Sequence, residues 1–224
     1  EERVYKKGII STREKNWHDL FNAFIWMLFP QSKVLLNQLH MQELTKQTGK
    51  KRTPARDAIT HIDESGIIIA STDSSLLKAL KNHQWQKVFV QHRQLWLEGI
   101  GFEGIGLQGT GLQGKNSAEG NSAESEQQIS AFVFGHGMYE KAFKPFIGFT
   151  GKAYCIEVDN DFFQKDKLSQ YQCLDQLLCD DIKQKNALSD SSQLSPLPIL
   201  GIPGWAKENE SPDYYANKNY FRSK

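Results

Sequence analysis

Asp57-Ala58-Ile59-Thr60-His61-Ile62-Asp63-Glu64-Ser65-Gly66-Ile67-Ile68-Ile69-Ala70-Ser71 is the stretch on which the reading of the fold turns. Ile67 to Ser71 is a short β-branched run opened by a glycine, the pattern of a buried strand. Upstream, Asp57 to Asp63 reads as a partner strand, with Glu64-Ser65-Gly66 as the tight turn between them. Ala58 to Ile62 fits one helical turn as well. A hairpin here makes the sheet mainly antiparallel.

Outward from this stretch the pattern is mostly helical. Arg3 to Ile10 alternates weakly, as an extended segment does. Asn16 is a helix N-cap with Asp19 three residues on, a variant of the capping box. The helix so opened runs from Trp17 to Phe29 and stops at Pro30. Beyond Asn22 it is apolar on every side, which predicts a buried helix. A second helix spans Ser32 to Gln47 and stops at Gly49. Downstream, Asp73 caps a helix through Leu80, and another covers Trp85 to Leu97. Ser130 to Phe134 and Gly151 to Val158 read as strands, Met138 to Phe143 and Lys167 to Lys185 as helices. Leu194 to Trp205 is a rigid, proline-rich apolar segment, and the residues after it are read as extended. No strand–helix rhythm repeats. The expected fold is therefore α+β: one domain over residues 1–224, with a small, mainly antiparallel sheet packed with several helices.

Residues 98–128 differ from the rest. Eight of the 17 glycines fall there, in five-residue copies such as Glu98-Gly-Ile-Gly-Phe102 and Glu103-Gly-Ile-Gly-Leu107. Copies so poor in apolar surface cannot offset their own ordering entropy, so a flexible surface insertion without catalytic residues is expected.

Composition narrows the function classes. The balance of 27 basic against 26 acidic side chains leaves a net charge of +1, so no global field draws the chain to nucleic acid or an anionic membrane. Only the local run Lys50 to Arg56 is basic enough to engage phosphates. It lacks interleaved aromatics for stacking on single strands. The longest apolar run, Ala23 to Phe29, is far short of the ~20 residues a membrane span needs. Cys155, Cys173 and Cys179 are odd in number and unpaired in spacing, which fits a soluble protein of a reducing, cytoplasmic compartment. The chain opens at Glu1 rather than methionine, which leaves open a native start further upstream and a cleaved targeting peptide.

Three clusters carry candidate chemistry. At the head of the first long helix stand Arg13, Asn16, His18, Asp19 and Asn22. His18 and Asn22 share a face, Asp19 lies beside them, and Arg13 can fold back to the same end. Plain capping accounts for Asn16 and Asp19, with Arg13 neutralising Asp19. It leaves His18 and Asn22 unexplained, so the functional reading comes slightly ahead. The second cluster is Gly135-His136-Gly137, with Glu140 and Lys141 behind, where flanking glycines predict an accessible histidine. A helix-start histidine with a solvent-facing glutamate is an equal reading. The third is Asp63-Glu64-Ser65-Gly66 with Asp57 and His61. Asp57, His61 and Asp63 would share a strand face, and adjacent carboxylates could bind a divalent cation or do acid–base work. An ordinary turn is the better reading. His18, His40, His61 and His136 form no recognisable ligand spacing, so no metal residues are assigned. No nucleotide-binding loop or nucleophile elbow is present, and the cofactor is left unknown.

With these residues noted, the chain resembles a bacterial family known as domain of unknown function 3025. The resemblance rests on Ser11 to Ala23, Arg56-Asp57-Ala58, Asp63 to Gly66, Phe134-Gly135-His136 with Glu140-Lys141, Leu194 to Pro198, and Gly201 to Trp205. It implies no known activity. It also implies that members begin upstream of Glu1 and that the glycine-rich insertion is peculiar to this chain. The leading expectation is a small hydrolase or transferase acting on an anionic substrate. His18 would be base, Asp19 its orienter, His136 and Glu140 a second acid–base or metal-binding pair, and Arg13 with Lys141 the anion clamp, beside Asn16 and Asn22. That reading requires His18 and His136 to share a pocket. The alternative is a non-catalytic module for an anionic ligand, a nucleic acid or a protein. A third reading is a scaffold whose polar clusters only cap helices. Oligomeric state is not legible.

Overall fold

The structure is a computed structural model that describes residues 1–46, 49, 51–97 and 128–224. The expected flexible insertion thus lies, apart from Gln128, outside the described residues. Seven α-helices and four strands follow in the order α1 (Glu2–Lys7), α2 (Trp17–Leu28), α3 (Pro30–Lys46), α4 (Pro54–Ser65), β1 (Gly66–Ser71), α5 (Ser74–Lys81), β2 (Ile129–Val133), α6 (His136–Ala142), β3 (Thr150–Glu157), α7 (Lys167–Lys185) and β4 (Ser195–Pro198) among the described residues. The fold is α+β, as expected.

The strands form one mixed sheet in the order β2-β1-β3-β4. β1 runs antiparallel to β2, with Ile67 opposite Val133, and parallel to β3, with Ile67 opposite Ala153. β4 closes the far side antiparallel to β3. Every residue of β1 is buried, because both faces of this inner strand are covered. Ile67 and Ile69 point into a core shared with α5, Val88, Phe89 and the closing residues Tyr215, Tyr220 and Phe221. Ile68 and Ala70 point the other way, into a core with α2, α3, α4 and α7.

Four expectations of secondary structure are corrected. Asp57 to Asp63 is helix, not strand. Thr53 caps α4 by accepting from the Arg56 amide, Pro54 takes the first turn, and the buried Ala58, Ile59 and Ile62 recur at helical spacing. No hairpin follows, so β1 finds its antiparallel partner in the distant β2, and Asp57, His61 and Asp63 do not share a strand face. The N-terminal segment is the short helix α1 rather than extended chain. The stretch from Trp85 is a π-helical turn, Gln86–Gln91, followed by a 3₁₀ turn, Arg93–Leu95. Trp96 then pairs beside Ile129 in an isolated bridge. The closing residues contain two 3₁₀ turns, Lys207–Glu210 and Pro212–Ala216.

α2 is only half buried. Phe21, Ile25 and the following Phe29 face the core, while Trp17, Leu20, Phe24 and Met27 are exposed, Met27 to 76%. α3 has no side-chain cap of its own. The buried carboxylate of Asp175 on α7 accepts from the amides of Gln31 and Ser32, at 2.9 and 2.7 Å, satisfying that helix start from across the core.

Candidate functional site

Three elements converge at one corner of the helical layer: the first turn of α2, the last turn of α4 and the first turn of α6. Their approach depends on small residues. α4 passes into β1 without a loop, and a Cβ on Gly66 would meet the Ile62 carbonyl oxygen at 2.3 Å. A Cβ on Gly135 would meet the backbone nitrogens of Ser65 and Gly66 at 2.4 Å, and one on Gly137 would meet the Glu64 carbonyl oxygen at 2.9 Å. The glycines flanking His136 therefore press the start of α6 against the end of α4. They do not expose the histidine as expected. His136 is buried, at 4% exposure.

That contact brings the two sequence-selected histidines together. Nε2 of His18 lies 3.0 Å from Nε2 of His136, with the rings edge to face. Each ring is held from behind. Nδ1 of His136 donates to the main-chain oxygen of Asp63 at 2.8 Å, and Nδ1 of His18 lies 3.1 Å from the Glu140 carboxylate. Glu64 stands in front of the pair, its Oε1 3.6 Å from Nε2 of His136 and 4.0 Å from Nε2 of His18. Burial lowers the His136 pKa from the ordinary imidazole value, partly opposed by Asp63 and Glu64. Among the described residues, His18, Glu64 and His136 are the group able to offer three ligand atoms to one metal ion, all within 4.8 Å of one another.

Beside the cluster lies a cavity of about 390 Å³. Glu64 belongs to both. Arg3, Lys33, Arg52 and Arg56 line it, against the acids Glu1, Asp63 and Glu64. Lys33 is almost fully buried. Its ammonium ion pairs with Asp63, donates to Asn22 Oδ1 at 2.9 Å and lies 5.4 Å from the centre of the Trp26 ring. Asp63 thus ties the two halves together, holding His136 through its backbone and Lys33 through its side chain.

His18, His136 and Glu140 are therefore brought together, as the reading required, but beside the cavity rather than lining it, whereas Asn22 lines the cavity and accepts from Lys33. Asp19 takes no part in orienting His18. It accepts from the Arg13 amide and Nε at 2.8 and 2.7 Å, while its own amide donates to Asn16. Arg13, Asn16 and Asp19 thus form the cap of α2, and Glu140 is the orienter. Lys141 is exposed on α6 and does not line the cavity. Sequence reasoning missed Glu64 as part of the histidine cluster and missed Lys33. The sequence reads Glu64 as a turn residue because Asp57 to Asp63, within α4, reads as a strand. Lys33 gave no signal beyond one lysine on a helix, and only its burial distinguishes it.

The chain belongs to the family described as protein of unknown function DUF3025, whose profile matches residues 1–109 and 119–224. The match runs well into the glycine-rich region, so only residues 110–118, rather than the whole of 98–128, fall outside it. No curated protein and no solved structure matches the chain.

Proposed function

We propose that this protein is a hydrolase acting on a small anionic ester, with the reacting bond held at the His18–His136–Glu64 cluster and the anionic group in the adjoining cavity. One observation carries the reading: two imidazole nitrogens meet at the carboxylate of Glu64, which itself lines a cavity with four basic side chains. Capping does not require such a meeting, since residues 18, 64 and 136 come from three separate elements.

Lys33 supplies the anion chemistry. An ammonium has three N–H donors, and two of them go to Asn22 and Asp63. The third is available to a substrate oxygen at the cavity wall, where burial strengthens the contact. In hydrolysis, a water oxygen held at the cluster bonds to the electrophilic atom. The leaving oxygen departs with the bond's electron pair and takes up a proton, while the water gives one up. The Glu64 carboxylate, which has two oxygens, is the proton-accepting group at that position.

The test is a panel of p-nitrophenyl phosphate, bis(p-nitrophenyl) phosphate and p-nitrophenyl acetate, assayed with the full chain supplied with divalent metal. The expected result is turnover of a charged ester that falls at least about 100-fold in His18→Asn, with KM raised in Lys33→Met. Absence of turnover on all three, or turnover indifferent to His18, contradicts the reading.

A further inference from the structure

The proton positions of the two histidines follow from their partners. A main-chain carbonyl only accepts, so the 2.8 Å contact with Asp63 fixes a proton on Nδ1 of His136. An ionised carboxylate also only accepts, so the contact with Glu140 fixes a proton on Nδ1 of His18. Two neutral rings so held direct bare Nε2 lone pairs at each other across 3.0 Å. Glu64 adds a carboxylate oxygen to the same point. One shared proton bridges the nitrogens but leaves the carboxylate unserved. A cation with several coordination positions serves all three.

From this convergence we infer that Nε2 of His18, Nε2 of His136 and the Glu64 carboxylate bind one divalent transition-metal ion of the zinc class. The inference rests on the hydrolase reading and deepens it by naming the cofactor of the same site. Two Zn–N bonds of about 2.0–2.1 Å at a tetrahedral angle separate their nitrogens by roughly 3.3 Å, so the observed 3.0 Å asks for a shift of only a few tenths of an ångström. Imidazole ligands favour zinc-like ions over magnesium or calcium, which prefer all-oxygen sites. The partners behind the rings are those that ligating histidines use, a carboxylate for one and a main-chain carbonyl for the other. Three protein ligands leave a coordination position for water, the arrangement of catalytic rather than structural zinc. Such an ion lowers the pKa of bound water to about 7 and so supplies the nucleophile.

The experiment is calorimetric titration of the chelator-treated full chain with zinc chloride, repeated with cobalt chloride and, anaerobically, with ferrous ion. One zinc or cobalt ion per chain is expected. His18→Asn and Glu64→Gln should each weaken binding at least about 100-fold, and Glu140→Gln about 10–100-fold, while His61→Asn leaves it unchanged. Both ligand variants alter part-exposed side chains, and their melting temperatures verify that they fold. No stoichiometric uptake, or equal affinity in the ligand variants, overturns the inference. Ferrous ion binding more tightly than zinc overturns the zinc-class assignment. Metal uptake without ester turnover contradicts only the hydrolase reading. Turnover by the metal-free chain contradicts only the metal site.

Discussion

Asp19 and Lys33 show how neighbouring polar residues divide between structure and chemistry. The Arg13 guanidinium and amide beside Asp19 hold its carboxyl well below the usual carboxylate range. A folded pKa below the unfolded value contributes stability that is present above about pH 4 and lost as pH falls through the folded pKa. Thermal melts of wild type and Asp19→Asn should therefore differ by a constant amount from pH 5 to 7 and converge in strong acid. A pH-independent difference would mean that Arg13 does not read the charge of Asp19. Lys33 is the opposite case, a buried ammonium whose partner Asp63 is part-buried. Lys33→Ala should destabilise by on the order of 3 kcal/mol in urea denaturation, because it leaves Asp63 without its cation. Lys33→Met with Asp63→Asn should recover part of that loss, since neither residue then carries an unmatched charge. Gly135→Ala acts through backbone. Its Cβ has no room against Ser65 and Gly66, so we expect about 1–3 kcal/mol of destabilisation and a weaker cluster as α6 lifts from Glu64.

Among the elements, α7 was the most legible, matching its expected bounds of Lys167 and Lys185, because Tyr171, Leu174, Leu178 and Ile182 recur at helical spacing along one buried face. α4 was not. Its buried positions Ala58, Ile59 and Ile62 are few, and Ala58, Thr60 and Ile62 would also fall on one face of a strand. The deciding signals were Thr53 and Pro54, a cap and a first-turn proline, hidden inside a run read as merely basic. α2 is placed correctly by the sequence but not oriented, because beyond Asn22 its residues are all apolar and their identity does not say which face is covered. Substitutions separate its faces. Met27→Lys should change stability by no more than about 0.5 kcal/mol, whereas Ile25→Ala should cost about 2–5 kcal/mol. Chemical denaturation of the two variants tests this, and a large loss at Met27 would mean that the face is covered.

At the scale of the whole molecule, the site depends on where the sheet puts its strand ends. β2 delivers His136 to the side of β1 where α4 delivers Glu64, and α2 lies across both with His18. The histidines were legible as separate candidates, and their meeting was not, because they stand 118 positions apart in the chain. Glu64 was illegible as a cluster member for the same reason, since its role exists only once Gly135 and Gly137 have closed on the end of α4. No helix among the described residues is long and apolar enough to cross a membrane. The central claim is that His18, His136 and Glu64 form one metal-binding reaction centre. Anomalous diffraction at the zinc edge, from crystals of the zinc-loaded chain, tests it most directly. The account predicts a single strong peak about 2.0–2.1 Å from both Nε2 atoms and in bonding range of Glu64. A zinc-loaded crystal with no peak there, and Nε2 of His18 turned away from His136, would contradict it.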